Sequence, residues 1–225
     1  RGTTPGAYEY HGAGIGGAYG AGKVLGKEGL GRICAVLGDS TFLHSGVAPL
    51  MDTVYNGGYS TTIILDNRIT AMTGQQEHPG TGYTIKGDPA AMVDYEQLAR
   101  ALGVKNVRWI DPYDIPETID AIREEVNREE PSVLITRNSP CMLLRRENPR
   151  EKFKHPTYRI DGDTCTGCKM CLNVNCPAIS WVEVEGVSKS GRKRKGISRI
   201  NPDQCVGCSV CFQICEFESI RPNQE

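Results

Sequence analysis

Short apolar runs alternate with segments of helical period through residues 1–150. Ile33-Cys34-Ala35-Val36-Leu37 and Thr61-Thr62-Ile63-Ile64-Leu65 are unbroken, as in strands covered on both faces. Asn106–Ile110 and Ser132–Thr136 predict two further strands. Apolar positions recur with helical spacing over His44–Tyr55, Asp94–Leu102 and Asp114–Val126. Residues 68–93 are rich in Gly, Pro and Thr and predict a long functional loop. This β-α-β-α order predicts an α/β domain, a parallel sheet with helices on both faces. Ahead of it, Gly12-Ala-Gly-Ile-Gly-Gly-Ala-Tyr-Gly20 is too rich in small residues for an ordinary helix. It suggests a helix start approached closely by another backbone or a ligand.

The pattern changes after Cys141. Arg145, Arg146, Glu147, Pro149, Arg150, Glu151 and Lys152 form a charged, Pro-interrupted linker. It separates a domain over 1–150 from one over 151–225, the second too small to bury much core unaided. In that second domain Ile160-Asp161 and Ile200-Asn201 mark a weak internal repeat. Lys189-Ser-Gly-Arg-Lys-Arg-Lys195 reads as a solvated hairpin tip, or alternatively as a docking patch for an acidic electron carrier. A net charge of −1 over 225 residues points to neither nucleic acid nor membrane, and no apolar run is long enough to span a bilayer. The chain opens Arg1-Gly2-Thr3 and reads as a fragment.

Eight of the ten cysteines lie in two runs of this second domain. The first is Cys165-Thr-Gly-Cys168-Lys-Met-Cys171 followed by Cys176; the second is Cys205-Val-Gly-Cys208-Ser-Val-Cys211 followed by Cys215. A C-x2-C-x2-C loop turns three thiolates toward one cuboidal cluster, and in two-cluster ferredoxins the distant fourth cysteine serves the other cluster. The spacing therefore assigns Cys165, Cys168, Cys171 and Cys215 to one [4Fe-4S] cluster. It assigns Cys205, Cys208, Cys211 and Cys176 to a second. A disulfide framework belongs to small secreted domains, and structural zinc has no use for a third cysteine per loop. The run before Cys176 is one residue longer than usual, and Glu216 stands where proline often follows the last cysteine. Eight reduced thiols imply a reducing, oxygen-poor cytoplasm.

A second chemistry sits at two strand ends. Gly38-Asp39-Ser40 follows the first strand, and Asp66-Asn67-Arg68-Ile69-Thr70 follows the second. Ligands bind open α/β sheets at such carboxyl ends. The Asp39 carboxylate and the Asn67 amide oxygen are hard donors suited to Mg²⁺, which prefers to share its shell with phosphates. Gly38 and the helix start near Gly12 would let backbone N–H groups approach a diphosphate. Taken singly these dipeptides are ordinary turns. Spaced by about one βα unit, they resemble the thiamin diphosphate signature. That resemblance implies that Asp39 and Asn67 ligate the metal through their side chains and Ile69 through its carbonyl. Ser40 replaces the signature's second glycine, and Asp66 stands where an asparagine is usual.

Gly38-Asp-Ser-Thr-Phe-Leu-His-Ser-Gly46, Leu65-Asp-Asn-Arg-Ile-Thr-Ala-Met-Thr-Gly-Gln75 and Pro140-Cys-Met-Leu-Leu144, with both cysteine runs, resemble one family. It is the alpha (large) subunit of indolepyruvate ferredoxin oxidoreductase, among the 2-oxoacid:ferredoxin oxidoreductases. The resemblance implies a thiamin-diphosphate-binding domain followed by a small α+β ferredoxin-like two-[4Fe-4S] domain. It implies oxidative decarboxylation of an aryl pyruvate with coenzyme A to an aryl-acetyl-CoA and CO₂. Electrons would pass through the clusters to ferredoxin, beside a smaller beta subunit. Pyruvate or a branched-chain 2-oxoacid as substrate, and a non-catalytic electron-transfer module, remain the alternatives. The pyrimidine-activating glutamate of thiamin enzymes belongs to a preceding domain and no stretch here matches it, so the fragment alone is expected to be inactive.

Single residues complete the reading. His44, one helical turn past Asp39, is either a catalytic residue lining the diphosphate or substrate pocket or a capping or core histidine. His11 precedes the glycine-rich segment and could face the thiazolium, although the resembling family often carries a cysteine there. Gln75, Gln76 and His78 lie on the long loop and could close over substrate. Cys34 reads as a buried strand residue, Cys141 as a packed or loop thiol, and His155 as a linker residue.

Overall fold

A computed structural model gives the fold and describes residues 33–71, 73–137 and 156–223. The chain divides into two compact units, Arg1–Arg145 and Arg146–Glu225. Gly12–Gly20, His11, Cys141 and His155 lie outside the described residues.

The first unit holds β1 (Cys34–Gly38), β2 (Thr61–Leu65), β3 (Asn106–Ile110) and β4 (Ser132–Thr136). All pair in parallel, in the order β1-β2-β4-β3. Their β-branched residues suit the pleat, and parallel pairing demands a crossover between neighbours. Asp39–Thr41 starts a helical path, Phe42–Gly46 continues it as a π turn, and α1 (Val47–Tyr55) completes it. The predicted helix thus begins five residues early, directly off β1. The π turn lies just ahead of Pro49, whose missing N–H and bulky ring disturb the helical ladder. Gly46 closes that turn because a Cβ there would lie 2.8 Å from the Phe42 ring and 3.1 Å from Leu37. Two more helices, α2 (Tyr95–Ala101) and α3 (Ile115–Glu125), start on carboxylate caps. Asp94 accepts from the Gln97 N–H and Asp114 from the Glu117 N–H.

Helices cover both faces of the sheet. On one face Leu37, Ile64, Val133 and Ile135 pack against Phe42, Leu50, Tyr95 and Ala99. On the other, Ile63, Ile110 and Leu134 pack against Ala121 of α3. The expectation that β1 is covered on both faces needs correction. Its Val36 is 57% exposed, because β1 is one of the two edge strands among the described ones and α3 packs over Ile63, Ile110 and Leu134 of the other three.

Three strand ends are tied together beside the candidate site. Asp66, just past β2, is buried and meets the Arg137 guanidinium, just past β4, at 2.8 Å. That guanidinium stacks 4.1 Å from the Trp109 ring on β3, and the Trp109 indole N–H donates to Glu96 of α2 at 2.7 Å.

The second unit pairs β5 (Tyr158–Ile160) with β8 (Ile220–Pro222), and β6 (Ile179–Val187) with β7 (Lys193–Ile200), both antiparallel. A 3₁₀ turn at Met170–Val174 and α4 (Val210–Gln213) complete it. Its apolar core is Tyr158, Cys211 and Ile220, backed by Cys171, Cys205 and Cys215, so the thiols are themselves core. The predicted basic hairpin tip is shorter than expected. Lys193–Lys195 belong to β7, and Arg194 turns inward to donate to the carbonyls of Gly162 and Cys165. Among the described residues no helix is long and apolar enough to cross a membrane.

Two substitutions test this packing by urea denaturation of the full-length chain. Gly46→Ala is expected to cost about 1–3 kcal/mol, since the methyl must displace Phe42 or Leu37. Arg137→Leu strands a buried carboxylate. Because Arg137 is 35% exposed, the expected loss is about 2 kcal/mol, below the roughly 3–5 kcal/mol of a fully buried pair. Adding Asp66→Asn should restore part of it; no recovery in the double variant would contradict the pairing.

Candidate functional site

The first candidate site is built at the carboxyl ends of β1 and β2. Their register pairs Gly38 with Leu65, so Asp39 and Asp66 leave the sheet side by side. Asp39 is 1% exposed. Its Oδ1 accepts the Ser40 N–H at 2.8 Å and its Oδ2 accepts the Arg68 N–H at 2.6 Å. Arg68 reaches it because its φ is +53°, a left-handed kink in the turn after β2. Within that turn the Asn67 Oδ1 accepts the Ile69 N–H at 3.0 Å, and the Thr70 hydroxyl donates to the Ser40 hydroxyl at 2.8 Å. Gly38, Asp39, Ser40, Asn67 and Ile69 are therefore brought to one sheet edge, as their spacing predicts. Gly12 lies outside the described residues, and His44 is exposed on the π turn, which removes its core alternative.

The long loop packs onto this edge rather than standing open. Bridges Thr70–Gln76 and Tyr83–Pro89 shape it, and His78 is 5% exposed. The His78 Nδ1 accepts the Gly80 N–H at 3.1 Å, which leaves Nε2 to carry the proton of the neutral ring. Nε2 lies 3.3 Å from the Asp39 Oδ2, close enough for an ion pair but not aligned as a hydrogen bond. The Tyr95 hydroxyl and the Asp66 Oδ1 are likewise buried without a hydrogen-bond partner. Burial, and then the charges of Asp39 and Asp66, push the Tyr95 phenol up. Burial also raises Asp66, and Arg137 opposes that shift. A buried carboxylate among unsatisfied polar atoms fits a hard cation whose remaining shell comes from elsewhere. Among the described residues no three His, Cys, Asp or Glu side chains gather around a single ion, so such a cation would rely on amide, backbone and phosphate oxygens.

The meeting of His78 with Asp39 carries no local sequence signal. Nor does the closing of the turn by Arg68 and Thr70, since a left-handed arginine leaves no composition signal.

The second candidate site is the cysteine domain, where none of the described cysteines forms a disulfide. Both loops share one backbone device. Gly167 and Lys169 take φ of +71° and +66°, and Gly207 and Ser209 take +75° and +62°. Left-handed residues on either side of the second cysteine coil each loop so that successive groups turn inward. Gly167 is also required by space, for a Cβ would lie 2.6 Å from the Gly196 carbonyl. The extra residue before Cys176 is absorbed by the 3₁₀ turn and by Asn175, left-handed at φ +53°.

The thiols sort crosswise. Cys165, Cys168, Cys171 and Cys215 line one cavity of about 350 Å³ of empty space, open solvent included. Burial raises the Cys171 thiol, with added repulsion from Cys165, Cys168 and Cys215. Burial likewise pushes Cys211 up to about 12, helped by Cys208, Cys205 and Cys176. Four thiols around a cavity, rather than around a point, suit a cluster better than a single ion. Cys34 stays apart on β1, its thiol raised by burial.

Comparison with known proteins agrees with both units. Residues 2–136 match the thiamine pyrophosphate enzyme, C-terminal TPP binding domain, and residues 157–216 match the 4Fe-4S dicluster domain. The chain is 37% identical over 195 residues to the indolepyruvate oxidoreductase subunit IorA of Pyrococcus horikoshii, covering 86% of this chain and 28% of that protein. It is 42% identical over 159 residues to the same subunit of Pyrococcus abyssi, covering 69% and 24%. The chain thus spans less than a third of the length of these relatives. A 2-oxoglutarate:ferredoxin oxidoreductase from Magnetococcus marinus superposes with a TM-score of 0.49 at 17% identity, over 56% of this chain and 44% of that one, a likeness too loose to bear on function. The chain belongs to the thiamine pyrophosphate enzymes, carrying their C-terminal TPP-binding domain with a 4Fe-4S dicluster domain behind it.

Proposed function

We propose that this chain is the cofactor-binding part of a 2-oxoacid:ferredoxin oxidoreductase acting on aryl pyruvates such as indolepyruvate. The supporting observation is the union, in one chain, of a TPP-binding domain with eight cysteines that sort crosswise into two sets. The substrate class is supported by similarity to the IorA subunits, whose names specify indolepyruvate; coenzyme A as acyl acceptor is part of the same proposal. A smaller partner subunit and ferredoxin complete the reading, as does a cytoplasmic setting.

Bound thiamin diphosphate would supply the electron sink for loss of CO₂, and [4Fe-4S] clusters would supply one-electron carriers. The chain's own residues prepare for both. Asp39 and Asn67, with the Ile69 carbonyl, would hold Mg²⁺, which would offset the charge of the diphosphate. The Arg68 N–H keeps the Asp39 carboxylate aimed, while the Ser40–Thr70 hydroxyl pair locks the two turns together. Arg137 neutralises Asp66 so that the edge is not doubly anionic. His78 and the loop behind it shield the carboxylate from water. In the second unit Cys165, Cys168, Cys171 and Cys215 hold one cluster, and Cys205, Cys208, Cys211 and Cys176 hold the other.

Asp39→Ala in the full-length chain with its partner subunit, reconstituted anaerobically, should weaken Mg²⁺–thiamin diphosphate binding by roughly 100-fold or more. Loss of a group that merely hydrogen-bonds a metal ligand costs about 10–100-fold. Calorimetric titration measures this, while cluster absorbance must stay at the wild-type level. Unchanged cofactor affinity would remove Asp39 from the metal site and favour an electron-transfer module with an inert α/β scaffold. Substrate choice is tested by ferredoxin reduction with indolepyruvate, phenylpyruvate and pyruvate in parallel. Equal or faster reduction with pyruvate would overturn the aryl assignment.

A further inference from the structure

The two halves of the second unit treat their sulfurs differently. Its internal repeat sets Ile160 against Ile200, each five residues before the first cysteine of a run. Two residues earlier stand Tyr158 and Ser198, equivalent in the repeat and exposed by 8% and 2%. Ser198 lines the cavity of the first cysteine set, with its Oγ 3.2 Å from the Cys171 Sγ. Tyr158 instead places its ring in the apolar cluster with Cys211, 5.6 Å from the Phe212 ring. The third cysteine of one run therefore meets a hydroxyl, and the third of the other meets an aromatic ring.

The chemistry of that contact changes when Cys171 becomes a ligand. As a thiol it donates to the Ser198 oxygen; as a thiolate it has no proton, and the hydroxyl turns to donate to it. Reduction adds negative charge that the thiolates share, so a donor at sulfur favours the reduced form. The Tyr158 ring offers no such donor from its face and excludes water. Its hydroxyl, whose pKa is pushed up by burial and then by Cys211, Cys208 and Cys205, makes no hydrogen bond to a sulfur among the described residues, whereas Ser198 does.

Other differences run the same way. Thr166, in the first cavity, has a buried hydroxyl without a hydrogen-bond partner, and its repeat equivalent is Val206. Lys169 lines the same cavity with its ammonium 4.3 Å from the Trp181 ring centre. Its equivalent, Ser209, is uncharged and accepts from the Gln213 amide at 2.8 Å. Arg194 adds a guanidinium on the Gly162 and Cys165 carbonyls. On the other side, the Tyr158 N–H lies 3.4 Å from the Cys205 Sγ, a donor that any non-proline residue would supply.

We propose that Ser198 raises the reduction potential of the centre held by Cys165, Cys168, Cys171 and Cys215 above that of the centre held by Cys205, Cys208, Cys211 and Cys176. A single electron entering the pair then rests on the first centre: the second is oxidised by one electron as the first is reduced by one. This rests on the cluster assignment made above.

The test is a redox titration, followed by electron paramagnetic resonance, of the anaerobically reconstituted full-length chain with its partner subunit and dithionite as reductant. Wild type should give two unequal midpoints. Cys168→Ala, which alters the signal of its own set, should change the upper one. Ser198→Ala should lower the upper midpoint and leave the lower in place, while Ser198→Thr, which keeps the hydroxyl, stays near wild type. Thr166→Val provides a second, near-isosteric variant and should lower the same midpoint. An unmoved upper midpoint in Ser198→Ala with full iron and sulfide, or a shift confined to the lower one, overturns the proposal. Failure of the underlying assignment is distinct: a wild-type chain that takes up no iron or sulfide shows no midpoint at all, and both fall together.

Discussion

Both units are organised around acidic groups held away from water, with few cations beside them among the described residues. At the sheet edge, Asp39 and Asp66 leave neighbouring strands side by side, and of the two only Asp66 pairs with a guanidinium among the described residues, that of Arg137. Asp39 is left with two backbone N–H groups and a misaligned imidazole. In the second unit the buried thiols form the core itself, and ligand chemistry requires them as thiolates. An isolated buried anion costs several kcal/mol, which is why burial pushes the Cys171 and Cys211 thiols up toward the neutral form until a cation takes the proton's place. Iron would do so in the second unit, and at the sheet edge the proposed divalent ion would do the same for Asp39.

This constraint explains details that packing alone would not. A core of Tyr158, Cys211 and Ile220 is small for a folded unit, and iron–thiolate bonds would link elements that apolar contact barely joins. The left-handed residues after Cys168 and Cys208 are strained choices for lysine and serine, yet the loops use them at the same place. Such repetition is expected if the geometry serves the ligand set rather than the local chain. At the other site, the left-handed Arg68 has a similar logic, because only that kink brings its N–H to Asp39.

Much of this was legible in the residues. β2 and β4 could be read to the residue because their short runs, Thr61–Leu65 and Ser132–Thr136, are β-branched and apolar between turn signals; β3, Asn106–Ile110, was legible from its place between two helical segments. That Cys215 would meet Cys165, Cys168 and Cys171 around one cavity was legible because spacing limits which sulfurs can converge. What escaped was non-local or conformational. The π turn depends on Gly46 fitting against Leu37 and Phe42, and β1's open face on its place at the sheet's edge. His78 carries no periodic signal; its value arises from a loop folding back over 39 residues of sequence onto Asp39. Ser198 was readable in principle, since the Ile160 and Ile200 repeat points to it and to Tyr158, but only coordinates show that both face sulfur.

The unequal treatment of those two positions has a consequence for how such a pair of sites must work. Two identical centres in one small unit would share an electron evenly, giving it no preferred end. A repeat that keeps the backbone device at Gly167 and Gly207 but changes Ser198 to Tyr158 preserves the shape of both sockets while separating their electrostatics. Backbone geometry holds the ligands; the side chains beside them set the direction. Because the hydroxyl acts on a single sulfur at short range in a buried pocket, salt should not screen it as it would the exposed charges of the β6–β7 hairpin. Directionality in this unit is therefore an interior property, fixed before any partner arrives.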